Sequence, residues 1–566
     1  MGLGSERRTV RGVSLARSVL PWLVAIALTW IGFGSVMPPT AAPLDAPETA
    51  FSAERAIEHV AVIAAEPRPM GTTANAAVRD YIIAELRTLG IEPERHEATV
   101  PDYFEQDGSV SIVNVVARIP GKANTKAVAL MAHYDTVPTT PGANDNAAAV
   151  AAMLETARAF RSGPPANNDL VLLFTDAEEP APRFGASSLI KATSLAEDIG
   201  LVVNFEAIGD SGASILVETS GSEGWIVKQF AAAVSRPVAF SFLTEIVELL
   251  GDIGTDFDPF RNAGVPGLHF AYLRGSPIYH TSADDIASVG MGSLQHHGSH
   301  GLSIARHFGD LDLADEQGPE PSVYFTLYPL FVRYPSGWAV PLAVLTALVF
   351  GGAAQRLLRQ RIITPAAVAR GAGGTALGAI AAAIVGTVLW MIIVSIRSMP
   401  AVSESFLYLS AALAAGAVTG LKTTARTRLE NQTSFAAGVV FLWVLLALAT
   451  GFGLPGVSYL FLWPALAACL ALIANSVQRN VAPVIRLILI AGPALLLFTP
   501  AIEILFQMAQ PRPGNLDSQI PTVVFAPLLL AHLVIALVWV GWPRPTIGEQ
   551  VVAETLPDVT SAVAAP

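Results

Sequence analysis

The chain has 566 residues, 52% of them hydrophobic and 14% charged, with a formal net charge of −12 and a mean hydropathy of +0.50. That length exceeds one ordinary domain, the low charged fraction points to membrane-spanning segments, and the acidic balance argues against a nucleic-acid surface. A single cysteine, Cys469, excludes a disulfide framework within the chain.

In chain order, a basic stretch (ERRTVRGVSLAR) precedes SVLPWLVAIALTWIGFGSV, an apolar run long enough to cross a bilayer. The prolines of PPTAAP disfavour cleavage, so residues 1–44 read as a cytoplasmic N-terminus and an uncleaved signal anchor. Residues 45–320 read as a soluble domain. Helical periodicity marks SAERAIEHVAVIAAEP and NAAVRDYIIAELRTLG, the second stopped by Gly90. Strand-like runs follow at 111–119, 127–134, 169–176, 201–209 and 213–220, with a helical stretch at 146–160 between them. The alternation predicts an α/β domain around a buried, mostly parallel mixed sheet, whose ligands would bind at the carboxyl ends of the strands.

Residues 321–545 read as an all-α multi-span domain, with seven spans at 336–354, 372–395, 405–421, 434–452, 457–475, 482–500 and 521–541, followed by a cytoplasmic tail at 546–566. Basic residues fall in alternate connectors: RLLRQR with Arg370, KTTARTR, and Arg479 with Arg486. With those connectors inside, residues 45–320 lie outside the cytoplasm. Asn431-Gln432-Thr433 matches a glycosylation acceptor but falls on the inner side of that topology.

Ionisable residues gather at the predicted strand ends. His133 and Asp135 close MAHYD, and Asp145 sits in the loop before a helix. Glu178 and Glu179 follow VLLFTDA, Glu206 closes LVVNFEA, and His280 follows GLHFAYL within SPIYHTSADD. A lone histidine at a strand end is usually structural, and a Glu-Glu pair is usually solvated. Five segments delivering such groups to one sheet edge are different. Like charges at short range raise pKa values and cost stability, and a bound metal pair removes that cost. Imidazole and carboxylate donors suit zinc, with cobalt or manganese as alternatives.

The ordered set HYD, ND, EE, NFEA and YHTSAD resembles the M28 family of zinc exopeptidases, within it the membrane-bound branch. The resemblance runs from about Glu54 to Phe308 and includes EPRPMGTTANAAVRDYIIAELRTLG and TDFDPFRNAGVPGLHFAYL. It implies a three-layer zinc-exopeptidase domain binding two zinc ions per chain. His133 and Glu206 would hold one ion, Glu179 and His280 the other, with Asp145 bridging. It further implies that Asp135 orients His133, that Glu178 is the general base, that Tyr279 is a candidate oxyanion donor, and that Asp284 orients His280 or its loop.

The implied function is a membrane-anchored dizinc aminopeptidase acting on peptides outside the cytoplasm. Its partners would be peptide substrates and the lipid bilayer, at a bacterial plasma membrane or, for a eukaryotic chain, with the domain in the vacuolar or endoplasmic reticulum lumen. Two readings stand beside it: a glutaminyl-cyclase-like acyl transferase with one zinc, and a non-catalytic peptide-binding scaffold or transporter. His296, His297, His300 and His307 read as surface or packing residues on an amphipathic helix. In TDFDPF, Thr255 reads as a helix cap and Asp256 and Asp258 as candidate substrate contacts. Glu503, Arg512 and Asp517 read as lying between apolar runs at an outer membrane boundary.

Overall fold

The structure, a computed structural model, describes residues 20, 23–104, 108–179, 183–192, 194–251, 253–314, 318, 320–396, 418, 419, 422, 432–477, 488, 489 and 491–508. The span expected at 521–541, most of that at 405–421, Asn431, Arg512, Asp517 and the tail lie outside the described residues.

Strands β1 (Glu94–Pro101), β2 (Ser109–Ile119), β3 (Ala127–His133), β4 (Leu170–Thr175), β5 (Ile199–Ala207), β6 (Ile215–Ser220) and β7 (Gly267–Tyr272) form one sheet, ordered β1-β2-β4-β3-β5-β7-β6. The central strands β4, β3, β5 and β7 run parallel, whereas β1, β2 and β6 join antiparallel. The expected sheet is therefore parallel at its centre and antiparallel at both edges.

Every residue of β3, β4 and β7 is buried, as continuous apolar runs covered on both faces should be. Successive side chains of β3 enter two different cores. Val128, Leu130 and Ala132 pack with helices Ala53–Ile63, Thr73–Thr88, Ala149–Arg161 and Met291–Gly309, while Ala127, Ala129 and Met131 pack with Phe257 and Phe260 on the other face. The period of two thus builds a three-layer domain. The polar strand β1, ERHEATVP, has mostly exposed or half-buried residues; with no apolar run, it gives no strand signal in the sequence.

Among the described residues, four helices are long and apolar enough to cross a membrane: Ser336–Arg359, Pro365–Ile392, Thr433–Gly453 and Pro455–Ala474. Close approach needs glycine where the second and third meet. A Cβ at Gly438 would lie 2.5 Å from the Val368 carbonyl oxygen, the small-residue packing expected of membrane helices. Two shorter apolar helices, Leu23–Gly34 and Gly492–Met508, lie alongside each other. Of the span expected at 482–500, residues 482–487 and 490 lie outside the described residues; the described helix Gly492–Met508 continues past the expected far end through EILFQM, so Glu503 lies within a helix.

A hairpin missed in the sequence, β8 (Ser322–Leu327) paired with β9 (Leu330–Pro335), joins the two halves. Phe325 bridges to Phe240 in the α/β body and stacks on Tyr459 of the Pro455–Val477 helix at 4.5 Å between ring centroids. One apolar cluster runs from Ile215 and Phe242 through Val323 to Leu460, Phe498 and Ile504.

Candidate metal centre

Asp145 is the middle of the site. Its Oδ1 lies 3.2 Å from His133 Nε2, and its Oδ2 lies 3.3 Å from His280 Nε2. Glu206 Oε2 approaches His133 Nε2 at 3.4 Å, and Glu179 Oε1 approaches His280 Nε2 at 2.5 Å. Two three-donor groups result, His133–Asp145–Glu206 and Asp145–Glu179–His280, each with its donor atoms within 4.8 Å of one another. The five residues come from the ends of β3, β4 and β5, the 134–145 loop and the loop after β7.

These donors fit divalent cations. Two donors about 2.0–2.1 Å from one tetrahedral zinc stand about 3.3 Å apart, which three of the four separations above match. Asp145 Oδ2 is buried and makes no hydrogen bond among the described residues. Charge tells the same story. Burial opposes ionisation of Asp145, but the two imidazoles outweigh it and hold its carboxyl well below the usual range. Burial pushes Glu179 up to about 7 and Glu178 well up, the latter also facing Glu179, Glu206 and Asp256. Burial likewise raises Glu206. Burial opposes a charge on His280, yet Asp145 and Glu179 hold it at about 10. Carboxyls and imidazoles here thus hold extra protons between them, which a bound cation would displace.

Asp135 reaches further than orienting a histidine. Its Oδ1 lies 3.5 Å from His133 Nδ1, longer than a normal hydrogen bond, while its two oxygens accept the backbone N–H groups of Glu178 (3.1 Å) and Glu179 (3.0 Å). One carboxylate thus ties the end of β3 to the end of β4. Ala177, with φ +57°, makes the turn that brings the Glu pair round. Glu178 belongs to neither donor group. The Tyr279 ring stacks on His280 with centroids 3.8 Å apart, and burial, then Glu179, keeps its phenol protonated.

Asp284 is placed differently from the expectation. Its carboxylate accepts from the backbone N–H of Asn144 and of Asp145, at 2.8 and 3.1 Å, and from Asn144 Nδ2. It sits on the His280 loop but orients Asp145. The capping role expected for Thr255 is also corrected. Its hydroxyl lies 3.3 Å from His269 Nδ1, and Asp258 Oδ2 accepts the N–H groups of Gly254 and Thr255. Asp258 pairs with Arg183 and Arg261. Asp256 is buried and accepts from the Thr175 hydroxyl.

Sequence reasoning missed three supports. Asn146 Nδ2 donates to Glu206 Oε2 at 3.0 Å. Tyr272 donates to Asn144 Oδ1 at 2.9 Å. Arg68, fully buried, donates to the carbonyls of Tyr134, Pro141 and Gly142 and so folds the loop that returns Asp145 to the site. The prolines and glycine of that loop announce a turn; nothing local in EPRPMG announces its partner.

Residues 114–305, the stretch carrying all but the outer parts of this site, match the model of Peptidase family M28. This region is an M28 peptidase domain. The chain is similar to endoplasmic reticulum metallopeptidase 1 of Mus musculus, 27% identical over 354 residues, covering 59% of this chain and 38% of the relative. It is similar to endoplasmic reticulum metallopeptidase 1 of Homo sapiens, 26% identical over 309 residues (51% and 34%), and to the vacuolar membrane protease of Candida albicans, 28% identical over 281 residues (48% and 32%). The matched part of the chain spans 32–38% of the length of these three relatives. Among solved structures, the M28 domain is similar to an aminopeptidase from Aneurinibacillus sp. strain AM-1, at 15% identity and TM-score 0.38 over 46% of this chain and 95% of that one. A glutaminyl cyclase from Fimbriiglobus ruber is similar at 19% identity and TM-score 0.39 over 48% and 97%.

Proposed function

We propose that the chain is a membrane-anchored dizinc aminopeptidase that hydrolyses peptides outside the cytoplasm. The observation that carries this reading is the position of Asp145, each of whose oxygens faces one imidazole and closes one three-donor group. His133 and Glu206 would hold one zinc, Glu179 and His280 the other, and Asp145 both. When bound, the ions would polarise the scissile carbonyl and acidify the attacking water.

The chain's own groups do the rest. Glu178 lies outside both donor groups, so its carboxylate is free to take a proton and return it to the leaving amine. Burial favours its protonated form, which suits the second of those tasks. Tyr279, kept protonated, offers a phenol donor beside His280. The basic connectors of the membrane half favour an outer position for the domain. Preference for a free amino terminus rests on the resemblance of the five motifs to the exopeptidases.

The test uses the full chain in detergent, comparing the wild type with Glu178→Gln. Zinc per chain is measured together with hydrolysis of aminoacyl-arylamides, N-blocked peptides and peptides with N-terminal glutamine. Two zinc ions in both proteins, with hydrolysis down roughly 10²–10⁴-fold in the variant, are expected. One zinc with cyclisation of glutamine would replace this reading with acyl transfer, and absence of bound metal would remove it.

A further inference from the structure

The two donor groups are built on different foundations. His133 ends the central strand β3 and is fully buried. His280 is half-buried, on a loop, with its backbone at φ +58°. A non-glycine residue holds that left-handed conformation only where its surroundings enforce it. The surroundings are local turn bonds, such as Thr281 Oγ1 to the Ile278 carbonyl, a contact from Thr139 Oγ1 at 3.3 Å, the Asp284 bonds to Asn144 and Asp145 on the loop's far side, and the point where the loop begins.

That point is held by an apolar helix from the other end of the chain. Arg274, two residues past β7, donates through Nε and Nη2 to Glu503 Oε1, at 3.1 and 2.9 Å. Gln507 Nε2 donates to the same oxygen at 3.1 Å, and Ser276 Oγ donates to the Gln507 carbonyl at 3.2 Å. The Arg274 guanidinium also lies over the Phe33 ring of the Leu23–Gly34 helix, 5.1 Å from its centroid. Between the Arg274 and Ser276 contacts, Gly275 turns at φ +80° against the Asp210 carboxylate, where any Cβ would collide. The loop's entry is therefore fixed from both sides, by the α/β body and by the Gly492–Met508 helix.

We propose that this helix is part of the catalytic scaffold: Glu503, acting through Arg274, is a positioning residue for His280 and for the cation shared by Glu179, His280 and Asp145. The His133 group has no such dependence, since β3 lies in the middle of the sheet. The inference rests on the two-cation reading above and goes beyond it in tying one of the two sites to the membrane half.

The full chain in detergent, loaded with zinc, is titrated with a chelator while zinc per chain and kcat and KM are followed for the wild type, Glu503→Ala, Glu503→Gln and the exchanged pair Arg274→Glu/Glu503→Arg. Thermal unfolding checks that each variant is folded. In Glu503→Ala, one zinc is expected to leave about 10–100-fold more readily, the usual effect of losing a residue that orients a ligand, while the other stays as in the wild type. Loss should appear in kcat more than in KM, and the exchanged pair should recover most of it. If Glu503→Ala fails to fold, Glu503→Gln carries the same expectation. Wild-type retention of both ions in the folded variants would reduce Glu503 to an anchor and overturn the proposal alone. A wild type holding fewer than two ions would overturn the two-cation reading and this inference together.

Discussion

His133 and His280 share a domain with a second group of buried histidines, His296, His297 and His300 on the Met291–Gly309 helix. Burial opposes protonation in both groups. At the first it is outweighed by facing carboxylates, and His280 stands at about 10. At the second, among the described residues, no carboxylate side chain makes a hydrogen bond to the rings. Ser214 N–H donates to His296 Nδ1 at 3.0 Å, which leaves the proton on Nε2 to be donated to the Arg236 carbonyl at 3.0 Å. His297 sits between the Ser214 hydroxyl and the Glu206 carbonyl, and His300 packs against Phe230 and Phe270. Burial accordingly pushes His296 down to about 4 and His297 to about 3. The difference lies in what faces the ring, not in the residue or its depth. Among the described residues, His296, His297, His300 and His307, within twelve positions, join no group of metal donors, whereas His133 and His280, 147 residues apart, each join one with Asp145 because a strand end and a loop converge.

Replacing one histidine from each group breaks the comparison most directly. His133→Phe should abolish hydrolysis and lower zinc content, while His300→Phe, which swaps one ring for another among aromatic neighbours, should keep both zinc ions and activity. Equal loss in the two variants would erase the distinction. Arg68→Met comes next. It removes the donor to three carbonyls of the loop carrying Asp145, two of them buried, so it should cost on the order of 3 kcal/mol and weaken zinc retention. Unchanged unfolding by denaturant would refute that role.

The acid response of the neutral group is smaller. His296 has a folded value near 4 against an ordinary 6.5, so the unfolded chain takes up a proton first as pH falls. Its contribution is complete above about pH 6.5 and is lost as pH falls toward 4, up to about 3 kcal/mol. Arg236 faces it twice, its guanidinium disfavouring a proton there and its carbonyl favouring one, and His296 in turn disfavours a proton on His297 and on His300. His296→Gln can keep both hydrogen bonds, so it should flatten the fall in melting temperature between pH 7 and pH 5. An unchanged slope would count against this cause. Smallest of all, His300→Phe should change stability by about 1 kcal/mol or less.

Much of the M28 domain was legible because its signals are local. VLLFT and AVALMA are short continuous apolar runs, the pattern of a strand covered on both faces. His133, Glu179 and Glu206 were legible because each stands at the end of such a run, and ligands gather at those strand ends. The hairpin of β8 and β9 was absorbed into the membrane half because SVYFTLYPLFVRYP, though less apolar than the helices after it, runs into the first of them without a break. Glu503 looked like a boundary residue because its partner, Arg274, lies 229 positions away.

By itself the sequence determined the alternation of strands and helices, the apolar helices, the two imidazoles and the carboxylates at strand ends, since periodicity and composition act over a few residues. Tertiary structure alone decided that Asp284 serves Asp145, that Arg68 closes the loop on carbonyls, and that a carboxylate near the end of an apolar helix holds the entry to the His280 loop. Each depends on groups far apart in the chain meeting within about 3 Å, and no pattern along the chain encodes that distance.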